Sequence, residues 1–200
     1  MLAPTITNAL TIDVEDYFQV SALAPYIRRD EWDSRECRVE RNVDRILALL
    51  AERQVQATFF TLGWVAERYP QLVRRIVDSG HELASHGYGH ERASDLSETA
   101  FREDITRSKH MLEDLAGCPV LGYRAPSFSI GTGNLWAFDQ LARAGYSYSS
   151  SIYPKARASS NGSSARKSRL SSPRRSRIAW SVRWMRGALI LPSPAGLITS

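Results

Sequence analysis

The side chains able to do chemistry lie in separated patches. Asp13, Glu15 and Asp16 close an apolar run that begins near Asn8. His86 and His90 sit four residues apart in a segment holding Gly87 and Gly89, and Arg124 stands two residues before Pro126. On a helical turn, positions i and i+4 share a face, so two histidines at that spacing can share a metal ion. Imidazole suits zinc, and a catalytic zinc keeps three protein ligands and a water. The third ligand must then be acidic, and Asp13, Glu15 and Asp16 are all available. Along an extended chain, residues two apart face the same way. One carboxylate could therefore hold the metal while another accepts a proton from its water. An arginine on a proline-stiffened turn could fix a carboxylate through a bidentate pair. This is the inventory of a metal-assisted hydrolase.

Elements must bring these patches together. Residues 8–14 read as a short buried strand, and residues 15–36 as a long, charged and aromatic loop. Long loops in compact domains are usually functional. Val39, Val43, Ile46, Leu47 and Leu50 recur at helical spacing, which predicts an amphipathic helix over Val39–Arg53. Strands are expected over 56–62, 81–85, 119–123 and 146–149. Helices are expected over 70–78, from the Ser97 cap to about Leu115, and over 135–143. This alternation of strand and helix predicts parallel β/α units, whose ligands gather at the C-terminal strand ends. Asp13, Thr61, His86 and Arg124 all fall at or just after such ends. Only four or five units are visible, fewer than the eight of a complete barrel. Trp64 and Tyr88 could line a sugar cleft, although such aromatics more often belong to a core.

Charge divides the chain near Pro154. Residues 1–154 hold 16 basic against 21 acidic side chains, a net of −5, whereas residues 155–200 hold 10 basic side chains and no acid. The basic Ser/Arg-rich tail over 155–200 is expected to be disordered or the translation of a shifted frame, its Ser/Arg-rich part running to about 177. Such charge supports salt-sensitive, non-specific binding and no specific nucleic-acid partner. Cys37 and Cys118 are expected to be buried free thiols. No run approaches the roughly 18 apolar residues of a membrane span, and no signal peptide is visible, which predicts a cytoplasmic protein.

Leu10–Phe18, Ala57–Phe60, Gly80–His90 and Gly122–Phe128, taken in this order, resemble the polysaccharide deacetylase family (carbohydrate esterase family four, the chitooligosaccharide-deacetylase-like proteins). The bacterial branch associated with exosortase and exopolysaccharide gene clusters is the most similar. The resemblance covers residues 7–154 and implies an α/β fold: an incomplete distorted (β/α) barrel of the glycoside hydrolase/deacetylase type, followed by a basic tail over 155–200. It implies removal of N- or O-acetyl groups from an acetylated poly- or oligosaccharide with a divalent cation, zinc being expected. It implies that Asp13 is the general base, that His86, His90 and Glu15 are metal ligands with Asp16 as the reserve, and that Arg124 orients the base. The late histidine acid of the family has no counterpart after His110. Two other readings are a metal-dependent amidohydrolase acting on a small non-sugar amide and an inactive truncated remnant.

Overall fold

The computed structural model describes residues 9–152 together with two short strands at 184–185 and 188–190. Five parallel strands lie side by side in chain order: β1 (Thr11–Val14), β2 (Thr58–Thr61), β3 (Glu82–Ser85), β4 (Gly122–Tyr123) and β5 (Tyr148–Ser149). The outer edge of β5 is paired antiparallel by β7 (Ala188–Ile190), which pairs in turn with β6 (Trp184–Met185). Pairing satisfies the backbone groups that an open edge would expose. These two strands fall within the tail expected to be disordered and correct that expectation at 184–185 and 188–190, and the other tail residues lie outside the described ones.

Helices join the parallel strands: α1 (Val39–Arg53), α2 (Gly63–Arg68), α3 (Pro70–Asp78), α4 (Glu98–Ala116) and α5 (Trp136–Arg143). α1 and α3 match the ranges expected from sequence. α1 buries Val39, Val43, Leu47 and Leu50, the apolar stripe that predicts it. Ser97 caps α4 by accepting the Ala100 amide, and Gly117 ends it in the left-handed region. The short α2 is not anticipated. It has only six residues, of which Gly63, Trp64, Val65 and Ala66 are buried in an unbroken run before the exposed Glu67 and Arg68, too short to show a helical period. Within 15–36, two short 3₁₀ turns form over Tyr17–Gln19 and Arg29–Ser34.

Two apolar clusters hold the sheet. One joins Phe101, Ile105 and Leu112 of α4 to Tyr123, Leu141 and Tyr146. The other joins Phe18 and Trp32 of the 15–36 segment to Val43, Phe59, Trp64 and Leu72. Trp64 is therefore a core residue, meeting Phe18 and Trp32 edge-on. Tyr88 is half-buried, bonds Glu67 and lies beneath the Arg107 guanidinium. Cys37 and Cys118 are free but only partly buried. Cys37 packs at the margin of the second cluster rather than inside it, which corrects the expectation of buried thiols. No helix among the described residues is long and apolar enough to cross a membrane.

Candidate metal centre

The parallel register places one edge of chemistry at the C-terminal strand ends. Asp13 lies opposite Phe60, and Ser85, just before His86, lies opposite Tyr123, just before Arg124. Glu15, His86 and His90 meet there, with one potential ligand atom from each lying within 4.8 Å of the others. Glu15 Oε2 is 2.7 Å from His90 Nε2 and 3.7 Å from His86 Nε2. This oxygen is buried, and among the described residues its polar neighbours are the two imidazoles. A carboxylate oxygen set between two imidazole nitrogens is a donor set suited to a cation.

Each imidazole is aimed by its neighbours. His86 Nδ1 lies 2.8 Å from the Arg124 carbonyl oxygen. A carbonyl only accepts, so Nδ1 carries the proton and the Nε2 lone pair is free to bind metal. Burial lowers the His86 pKa and favours the neutral ring. Burial pushes the Glu15 carboxyl up, but the adjacent His90 and His86 outweigh it and its pKa is lowered. The histidines do not share a helical turn as the spacing suggests. They flank a loop in which Gly87 and His90 both take left-handed backbone angles, with φ of 77° and 57°. The i, i+4 coincidence thus survives through a different geometry.

That loop is held from several sides. Gly63 and Trp64 at the start of α2 donate to the Gly87 and Tyr88 carbonyls at 2.9 Å each. Ser108 Oγ lies 3.0 Å from the Gly87 carbonyl. The half-buried Asp104 carboxylate of α4 accepts the Tyr88 amide at 3.1 Å and also bonds the Gly89 amide. A Cβ on Gly87 would stand 2.8 Å from Asp104 Oδ2, so only glycine admits this latch. From the other side, Arg29 bonds the Gly89 carbonyl and stacks over Trp32 at 4.0 Å. Burial pushes the Asp104 carboxyl up to about 6, against the pull of its two backbone amides. Sequence reading missed Asp104 and Arg29 because each sits among exposed charges with no motif around it.

Asp104→Ala is expected to weaken zinc binding about 10–100-fold, as loss of an orienting partner typically does. The same residue links stability to pH. Its folded pKa lies above the ordinary carboxyl value, so the folded state takes up a proton first as pH falls. Its stabilising contribution is therefore greatest near pH 4 and is lost as pH rises through about 6. Melting temperatures of wild type and variant between pH 4 and 8 would show the wild-type advantage shrinking upward.

The acids of the first strand end separate by role. Asp16 lies outside the cluster. It caps the turn at Tyr17, accepting the Tyr17 amide at 2.9 Å and the Val39 amide at 2.9 Å, together with the Arg38 amide. Its lone pairs serve the backbone. Asp13 faces Arg124 instead, whose Nη1 donates to Asp13 Oδ1 at 2.6 Å. The expected two-pronged pair does not form. Arg124 Nη2 bonds Thr11 Oγ1 and Ser150 Oγ, each at 3.0 Å, while Nε reaches the Ser150 carbonyl at 3.3 Å. Its guanidinium also lies over the Phe60 ring at 4.1 Å. The fork thus ties β1 to the segment after β5 and offers Asp13 one bond. The other two histidines are elsewhere. His81 precedes β3, with its Nδ1 taking the Ala57 amide, and His110 is exposed on α4.

Residues 30–148 match the family described as polysaccharide deacetylase. A peptidoglycan-N-acetylglucosamine deacetylase of Bacillus cereus is 36% identical over 97 residues, which cover 48% of this chain and 35% of that protein. A chitooligosaccharide deacetylase of Sinorhizobium fredii is 47% identical over 62 residues, covering 31% of this chain and 27% of the relative. A solved structure of a candidate polysaccharide deacetylase from Mycobacterium smegmatis superposes with a TM-score of 0.58 at 32% identity, covering 69% of this chain and 48% of that one. The chain spans about a third of the first of these curated relatives and about a quarter of the second.

Proposed function

The chain belongs to the polysaccharide deacetylase family, and we propose that it is a metal-dependent deacetylase of an acetylated poly- or oligosaccharide. Its relatives are named for peptidoglycan and for chitooligosaccharides, and an exopolysaccharide carrying N-acetyl groups fits the same chemistry. The observation that carries the proposal is the convergence of Glu15, His86 and His90 beside the Asp13–Arg124 pair. Two imidazoles and a carboxylate suit zinc and leave a position open.

A cation held by Glu15, His86 and His90 would polarise the acetyl carbonyl and acidify a water. Asp13, open on one side and anchored by Arg124 on the other, would accept a proton at its free carboxylate oxygen. Arg124 keeps the accepting carboxylate in one orientation through its bonds to Thr11 and Ser150. His86 holds its own proton at Nδ1 against the Arg124 carbonyl, so it remains a ligand and not a proton donor. The departing amine also needs a proton, and neither His81 nor His110 lies at the site. General acid–base assistance of that kind is worth about 10²–10⁴-fold in rate. The assay is acetate release from a chitooligosaccharide with added zinc. The expected result is release that a chelator abolishes. Chelator-insensitive release would contradict the proposal.

A further inference from the structure

The loop between the two histidines is pinned peptide by peptide. The Gly87 amide donates to Ser85 Oγ at 3.2 Å, and Asp104 accepts the Tyr88 and Gly89 amides. The Gly87 and Tyr88 carbonyls take the Gly63 and Trp64 amides. These partners belong to β3, α2 and α4. The Gly89 carbonyl is different, because its donor is Arg29 Nη1, from the segment that follows Glu15. That carbonyl and the His90 amide share one planar peptide group. His90 φ is the rotation about the bond leading out of this plane to its Cα, and it is held at 57°. The left-handed region is unfavourable for a residue with a Cβ, so it persists only where the surroundings over-determine it. Fixing the Gly89 carbonyl fixes the plane from which the imidazole reaches Glu15, 2.7 Å away.

Arg29 is itself aimed. Its guanidinium lies over the Trp32 ring at 4.0 Å, and Trp32 is buried against Phe18 and Trp64. Gly89 is fitted to this contact. A Cβ there would stand 2.6 Å from Arg29 Nη1 and 2.9 Å from Nη2. Gly89 does not take a left-handed backbone angle, so its missing Cβ serves Arg29 and not the backbone. We infer that Arg29 is a positioning residue of the metal centre: by holding the Gly89 carbonyl, it keeps His90 in the conformation that brings its Nε2 to Glu15. Arg29 thereby joins the chain segment of one proposed ligand to the loop that carries the other two. The inference rests on the proposed metal centre and adds that the site is shaped before any cation arrives.

Two variants break the contact by different routes. Arg29→Met removes the donors and keeps an unbranched stem over Trp32. Gly89→Ala leaves Arg29 in the chain but pushes the end of its flexible side chain off the carbonyl. Zinc affinity of the full 200-residue chain would be measured by competition with a chromogenic chelator. Each variant should bind zinc about ten-fold more weakly, the lower end of what loss of an orienting partner costs, because Arg29 is exposed on its outer side. The double variant should be no weaker than either single one, since both remove the same contact. Arg29→Lys keeps a cationic donor but not the planar stack, and should fall between Arg29→Met and the wild type. A second readout needs no metal. In metal-free Arg29→Met, His90 should lose the strong intraresidue HN–Hα Overhauser contact of a left-handed residue, while the amides of α1 keep their wild-type shifts. Wild-type zinc affinity in both folded variants, losses that multiply in the double variant, or a left-handed His90 in metal-free Arg29→Met would each overturn the role of Arg29 and leave the three-residue centre standing. Should His86→Ala also bind zinc as the wild type does, the centre itself falls, and this inference with it.

Discussion

His86→Ala is expected to abolish tight zinc binding. Removing an orienting partner costs about 10–100-fold in metal affinity, and His86 supplies a proposed ligand itself, so the loss should exceed that range. Its Nε2 is one of only two imidazole nitrogens in the cluster. The ring is buried against the Arg124 carbonyl, and alanine leaves a space that no nearby donor fills. Titration against a chromogenic chelator at fixed pH would measure the effect. His110→Ala serves as control, since that residue is exposed on α4 and should bind zinc as the wild type does. Wild-type affinity in His86→Ala would remove the basis of the assignment.

Asp13→Asn is expected to reduce acetate release by about 10²–10⁴-fold with zinc affinity unchanged. An amide keeps the shape of the side chain and an oxygen facing Arg124, but it cannot take a proton. Arg124→Lys should also slow release, although it retains charge. A lysine ammonium cannot reach Asp13, Thr11 and Ser150 at once, as the planar guanidinium does. In both variants the loss should appear in kcat rather than in metal content. A fall in bound zinc matching the fall in rate would move Asp13 into the metal site and sink its role as base.

Much of this arrangement was legible in the sequence. Val39–Arg53 carries a clean apolar stripe, Pro70 opens α3, and Ser97 and Gly117 bracket α4, so local physics names those helices. The alternation of elements was enough to place Asp13, His86 and Arg124 at one sheet end, because parallel β/α units leave few other choices. What stayed hidden depended on tertiary contact. α2 has no amphipathic signature because its buried residues run consecutively from Gly63 to Ala66 and only Glu67 and Arg68 follow. The histidine pair follows a left-handed loop that residue spacing cannot distinguish from a helical turn. Asp104 and Arg29 act on backbone amides and carbonyls of that loop, and such bonds leave no residue-type pattern. The choice between Glu15 and Asp16 needed the distant amides of Arg38 and Val39, which occupy Asp16.

Anomalous diffraction from zinc-soaked crystals would locate the ion of the three-residue metal centre. One strong peak is expected within about 2.0–2.2 Å of His86 Nε2, His90 Nε2 and a Glu15 carboxylate oxygen. A zinc ion bound by Asp16, or a fully occupied zinc elsewhere with Glu15, His86 and His90 left empty, would contradict it.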